Sequence, residues 1–243
     1  DSIISYSKGD RTFHPVRLYQ SVRQEGMNWS EPEKLQKKKL DNKYEHTANG
    51  TYSEDMQRFY FTRCTENPSR GIICHIYMSK KEGSTWSKPK KLPKINKAGY
   101  TSTQPTVQSY VKKKRKKVNK YDILYFSSNQ PNGKGGLDIW FTAIDENGKV
   151  REPINLGSKI NTLRDEVTPF YDNLHKTLYF SSNYHYGLGG FDVHKSKGNQ
   201  KRWTKSENVG IPVNSSYDDT YYHLETDTTT EKEIGYIVSN RPG

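Results

Sequence analysis

Tyr125-Phe126-Ser127-Ser128-Asn129 and Tyr179-Phe180-Ser181-Ser182-Asn183 decide the fold, because their pattern returns as Tyr60-Phe61-Thr62-Arg63-Cys64 and Tyr236-Ile237-Val238-Ser239-Asn240. The last positions of the four copies, 64, 129, 183 and 240, lie 65, 54 and 57 residues apart. Downstream of each of the first three copies a further strand is expected, at Ile76-Tyr77, Ile139-Trp140 and Val193-His194, and Leu18-Tyr19 opens the same series. After a polar turn a fourth strand closes each unit, from Trp29 to Leu35, Trp86 to Leu92, Arg151 to Leu156 and Trp203 to Val209. The first strand precedes the signature, as in Gln104-Pro105-Thr106-Val107, Thr168-Pro169-Phe170-Tyr171 and Thr220-Tyr221-Tyr222-His223-Leu224. Recurring four-stranded meanders of this length predict an all-β chain, a β-propeller of antiparallel blades. One blade cannot bury both faces, so radial stacking should make a single domain over 1–243, with units at about 1–35 (partial), 36–92, 93–156, 157–209 and 210–243 (partial). Ile3-Ile4-Ser5-Tyr6 stands at the Tyr-Phe-Ser-Ser place and the chain stops at Asn240-Arg241-Pro242-Gly243, so the expectation is an excerpt of a larger ring or a small ring closed by strands from both ends.

Composition agrees with that class. Only 31% of the 243 residues are apolar and 27% are charged, yet 18 Tyr, 8 Phe and 4 Trp supply area for packing blade on blade. No run approaches the roughly 20 apolar residues of a membrane-spanning helix, and no secretory signal pattern opens the chain, which reads as not transmembrane.

The two cysteines gain meaning from the repeat. Cys64 stands where Asn129 and Asn183 stand, and each of those asparagines is followed by an aspartate, Asp138 or Asp192, across a glycine-rich turn. Cys74 lies beside His75, the aspartate equivalent. Antiparallel neighbours are within disulfide range, so Asn129 with Asp138 and Asn183 with Asp192 are expected to hold the hairpin base in two blades, and a Cys64–Cys74 disulfide in a third. Two free thiols are the alternative. A disulfide would imply an oxidising compartment such as a periplasm. Two cysteines without paired histidine spacing give no metal site, and no cofactor is expected.

The net charge is +12, and Lys112, Lys113, Lys114, Arg115, Lys116 and Lys117 form one uninterrupted basic run between the first and second strands of a unit. A solvated loop is one reading. Contact with an anionic envelope surface, such as lipid headgroups or an acidic protein face, is the sharper one. Nucleic acid is not expected as a partner, because no aromatic platform interleaves with the run.

Matching acidic segments precede two first strands, Asp165-Glu166 after Ile160-Asn161 and Asp218-Asp219 after Val213-Asn214, and Ile95-Asn96 begins a third copy. These carboxylates either ring a channel mouth, as a cation or basic-peptide site, or accept hydrogen bonds from the neighbouring blade's turn amides. Ser79 to Trp86 approximates the sialidase Asp-box with Lys81 in the aspartate place, but no arginine cluster with a nucleophile pair and no Gly-x-Ser-x-Gly elbow is assignable. The expectation is therefore a non-enzymatic chain.

Thr177 to Asn183, Gly187-Leu188-Gly189-Gly190-Phe191-Asp192-Val193, Trp203 and Ile211-Pro212-Val213-Asn214 resemble the TolB-like, WD40-like propeller repeat, in the version found in envelope proteins of Bacteroidota-type bacteria. The resemblance is close over 120–243 and looser over 1–119, where Cys64 and His75 depart from the pattern. It implies a periplasmic, outer-membrane-associated scaffold that binds other protein subunits, of the kind found between tetratricopeptide and OmpA-like domains in lipoproteins of the type IX secretion and gliding machinery. A propeller that binds carbohydrate or peptidoglycan fragments is the alternative, and a sialidase-like glycosidase stands behind it.

Overall fold

The computed structural model describes residues 15–24, 28–35, 40, 44–114, 117–227 and 232–242. Every regular element within them is a β-strand. A first pair is β1 (Tyr19–Gln20) with β2 (Glu33–Lys34). A first full blade follows, comprising β3 (His46–Tyr52), β4 (Arg58–Asn67), β5 (Gly71–Glu82), β6 (Thr85–Trp86) and β7 (Lys90–Lys91). The second blade is β8 (Ser102–Lys114), β9 (Lys117–Ser128), β10 (Asp138–Asp145) and β11 (Ile154–Asn155). The third is β12 (Glu166–Asp172), β13 (Thr177–Ser182), β14 (Asp192–Asn199), β15 (Arg202–Trp203) and β16 (Glu207–Asn208). A final pair is β17 (Asp219–Thr226) with β18 (Glu233–Ser239). Within each blade the long strands pair antiparallel in chain order, as a propeller requires, and the short strands β6 and β7 both pair with β5, as β15 and β16 both pair with β14. Ile3 to Tyr6 lies outside the described residues.

The run Ile123-Leu124-Tyr125-Phe126 shows why the blades stack. Consecutive side chains of a strand point to opposite faces, so a continuous apolar run marks a strand buried on both. Leu124 and Phe126 join Tyr60, Ile76, Leu92 and Ile95 in the core between the first and second blades. Ile123 and Tyr125 join Tyr171, Leu178, Phe180 and Trp203 in the core between the second and third. Leu35, Leu40, Phe59 and Phe61 bury the other face of the first blade, with Leu18 packed against them.

Each Ile/Val-Asn segment secures the loop that carries the chain into the next blade. Asn96, Asn161 and Asn214 accept from the backbone N–H of Ile76, Ile139 and Val193 at 2.8, 2.8 and 2.7 Å, and each donates back to the same residue's carbonyl. One side chain thus replaces a missing ladder partner at the same point in three successive units. The inner strands β3, β8, β12 and β17 neighbour one another in that order. Arg23 on Glu225 at 3.4 Å and Trp29 on Tyr236 at 5.8 Å join the segments around β1 and β2 to the β17–β18 pair.

Candidate functional site

Every inner strand is broken at one level. The register shifts between Ala48 and Gly50 in β3, Thr103 and Thr106 in β8, Val167 and Phe170 in β12, and Thr220 and His223 in β17. The residue at the break is left-handed in all four: Asn49 (φ 48°), Gln104 (φ 55°), Thr168 (φ 51°) and Tyr221 (φ 52°). Non-glycine residues rarely adopt this conformation, a β-branched threonine least readily, and such strain persists where its surroundings over-determine it. The surroundings here are other blades. Thr168 donates its N–H to Gln104 Oε1 at 2.9 Å, Tyr221 donates its N–H to Thr168 Oγ1 at 3.2 Å, and Gln104 Nε2 reaches Tyr221 Oη at 3.1 Å.

Around this belt lies a cavity of about 360 Å³ on the axis, walled by all four inner strands. Amide and hydroxyl groups of Asn49, Gln104, Thr106 and Thr168 share the wall with the rings of Tyr52, Phe170, Tyr221, Tyr222 and His223. Phe170 and His223 pack at 4.3 Å between centroids. Burial lowers the His223 pKa, with Glu225 and Asp172 opposing, which favours a neutral ring. The carboxylate that follows Tyr171, Asp172, accepts from the backbone of Leu174 at 2.8 Å and of His175 at 3.2 Å and lies 2.6 Å from His175 Nδ1. Reasoning from sequence did not find this site. The available signal was Pro105 and Pro169, which follow Gln104 and Thr168 directly in the edge strands β8 and β12, and a proline within a strand marks an edge or a bulge.

Cys64 and Cys74 form a disulfide, with Cα atoms 4.0 Å apart. The Asn/Asp expectation needs correction, because Ser128 and Ser182, not the asparagines, stand opposite Asp138 and Asp192. Asn129 and Asn183 turn to the start of their own blade's inner strand, accepting from Thr101 N–H at 2.8 Å and Asp165 N–H at 3.0 Å. Asp138 instead accepts from the turn amides of Lys134 and Gly135, and Asp192 from those of Leu188 and Gly189.

The acidic pairs are likewise not on the cavity wall. Asp165 accepts from Leu137 N–H at 2.7 Å and Asp218 from Phe191 N–H at 2.9 Å, each tying the preceding blade's hairpin. Glu166 and Asp219 are wholly buried. Burial raises the Glu166 pKa against hydrogen bonds from Thr162 and Ser182. Burial also acts upward on Asp219, but hydrogen bonds from Ser239, Arg241 and Ser215 outweigh it and hold its pKa below the ordinary carboxylate value. The basic run occupies the β8–β9 hairpin: Lys112, Lys113 and Lys114 end β8, Lys117 begins β9, and Arg115 and Lys116 lie outside the described residues. The expected loop is thus an extension of the ladder, in which Lys112 pairs with Asn119. Among the described residues no cluster of three or more His, Cys, Asp or Glu is arranged to hold a metal, and no helix is long and apolar enough to cross a membrane.

No family model matches the chain, and no curated protein sequence matches it. Solved structures do. An α-L-arabinofuranosidase from Lactobacillus brevis is similar at 8% identity and a TM-score of 0.46, over 80% of this chain and 66% of that one. A thermostable family-43 glycoside hydrolase is similar at 14% identity and a TM-score of 0.49, over 88% of this chain and 73% of that one. TolB from Acinetobacter baumannii is similar at 10% identity and a TM-score of 0.34, over 86% of this chain and 54% of that one. At these identities the likeness concerns the fold, a β-propeller, and assigns no activity. The expectation of a non-enzymatic chain is withdrawn: two of these three structures are glycoside hydrolases, and the shared fold leaves the activity of this chain open.

Proposed function

We propose that the chain recognises a carbohydrate in the axial cavity. One observation carries this reading: four inner strands are bent at a shared level, and the bends present amides, hydroxyls and aromatic rings to one space of about 360 Å³. A sugar has the matching character, with C–H faces that pack on rings and hydroxyls that exchange hydrogen bonds with amides. The volume lies within the usual range of small-molecule sites. Asn49 is held left-handed on the cavity wall, and its side-chain amide, which has no hydrogen-bond partner among the described residues, is the group that would meet a ligand hydroxyl.

Titration calorimetry with saccharides selected on a glycan array tests the proposal, with chromatography of the same mixtures reporting any cleavage. Tyr221→Ala and Asn49→Ala should each weaken binding by about threefold to tenfold, the scale of one lost ring or hydrogen-bond contact. Unchanged affinity in both would remove the cavity from consideration. We further infer an oxidising compartment such as a periplasm, which the Cys64–Cys74 disulfide supports. Association with an outer-membrane protein assembly is proposed on the resemblance of the repeat alone, and crosslinking with mass spectrometry in the native envelope tests it.

A further inference from the structure

At the rim between the second and third blades lies a groove of about 400 Å³, lined by Lys159, Lys197, Lys201 and Arg202 over a floor of Leu156 and Trp203. The four cationic residues are exposed, no carboxylate lines the groove, and none of them belongs to an ion pair among the described residues. Like charges held together on a concave surface raise the local potential and favour an anionic ligand.

The preceding junction is an internal control. Lys94 precedes Ile95 as Lys159 precedes Ile160, so the two lysines occupy the same place in successive units. Lys94 pairs with Glu152 of the next blade at 3.0 Å. Lys159 instead donates to the carbonyl oxygen of Trp203 at 2.7 Å, and the next residues along that outer strand are Thr204 and Lys205. Neutralisation at one junction has become accumulation of charge at the other.

We propose that this groove binds a phosphate-bearing sugar. Two phosphates, each close to doubly charged at neutral pH, balance four cations. The volume suits one or two sugar rings. Single-stranded nucleic acid is the poorer match, since it needs an accessible stacking platform. The indole of Trp203 is only 5% exposed and packs edge-on against Tyr125 and Tyr171. The site is separate from the axial cavity and does not depend on the reading given to that cavity.

Binding of fructose 1,6-bisphosphate, followed by calorimetry and by amide chemical shifts around residues 197–204, is the test, with fructose as the uncharged control. The bisphosphate should bind, weaken as salt is raised, and lose at least tenfold in affinity in Lys197→Gln/Lys201→Gln/Arg202→Gln, whose side chains are exposed and leave the fold intact. Lys90→Gln, on the outer strand of the first blade, should leave binding unchanged; an equal loss there, or an undiminished affinity in the triple variant, overturns the proposal. Lys201→Glu alone supplies a second test should the triple variant fold poorly, with the same tenfold loss expected. Cosedimentation with phosphatidylglycerol vesicles that depends on Lys201 and Arg202 would assign the phosphate to a lipid headgroup. Binding of the free bisphosphate alone would assign it to a soluble sugar, and binding of neither probe overturns the site.

Discussion

Two chemistries close the same hairpin in successive blades. In the second and third, the link between the second and third strands is a glycine-rich turn whose amides are gathered by Asp138 or Asp192, and the turn rests on the following loop. A Cβ on Gly135 would lie 2.5 Å from Arg164 O, and one on Gly189 would lie 2.1 Å from Tyr217 O. In the first blade the ladder instead continues to Asn67 opposite Gly71, with Cys64–Cys74 bridging it. A Cβ on Gly71 would meet nothing within 4 Å. The difference is one of coupling: the glycine hairpins fit their neighbours backbone against backbone, whereas the cystine hairpin is closed by a bond within itself and reaches the following loop through hydrogen bonds from Arg70 to Gly99 O and from Cys74 N–H to Thr101 Oγ1.

The largest effect should come from breaking that fit. Gly189→Val drives a branched side chain into the backbone of the 215–217 loop, which cannot move as the end of a flexible side chain can, and about 3 kcal/mol or more should be lost. Gly71→Ala, left-handed at φ 72° but facing open space, should cost only about 1 kcal/mol. Urea unfolding of the two variants decides the point, and equal costs would refute the difference in coupling.

Next in size is the covalent closure. The cysteines are separated by 10 residues, and a loop of that length should contribute about 2–3 kcal/mol by restricting the unfolded chain. Cys64→Ser/Cys74→Ser and the reduced parent should unfold at the same lower urea concentration, with the Gly189→Val cost unchanged in either background. Asp192→Ala follows at about 2 kcal/mol, because it frees the amides of Leu188 and Gly189 from a buried charged acceptor. Hydrogen exchange in Asp192→Ala should rise at 186–191 and also at 215–219, since the neighbouring loop loses its support.

Much of this was legible before any coordinates. Strand order, blade stacking and the disulfide follow from aligning Tyr-Phe-Ser-Ser-Asn copies, because side-chain alternation and hairpin register are local properties of the chain. The partners of Asn129 and Asp138 were not legible. Their proximity in sequence suggested a mutual bond, whereas a one-residue offset in register sends the first to Thr101 and the second to its own turn. The axial cavity and the rim groove depend on residues far apart in the chain, such as Gln104 with Tyr221 and Lys159 with Trp203, and a repeat period does not say which side chains meet across an axis or a junction.

The smallest effect sharpens the comparison at the inner-strand entrance, where Glu166 and Asp219 occupy equivalent buried places. Asp219 has Arg241 as an additional donor, and its pKa is lowered. A lowered folded-state value contributes stability above the unfolded value, lost as the pH falls through the folded one. Glu166 has the hydroxyls of Thr162 and Ser182 and the N–H of Thr162, and its pKa is raised. There the ionised form is disfavoured by folding, so stability should rise as the pH falls from above the folded value toward the unfolded one. Asp219→Asn should therefore cost about 1.5 kcal/mol at pH 7, and Glu166→Gln should cost nothing or stabilise by up to about 1 kcal/mol. Glutamine fits because its amide oxygen can take the Thr162 N–H while its NH₂ donates to the Thr162 hydroxyl. Urea midpoints of both variants between pH 7 and pH 4 would test this: the Glu166→Gln advantage should shrink as the pH falls, and a constant or growing advantage would show that folding does not disfavour the Glu166 carboxylate.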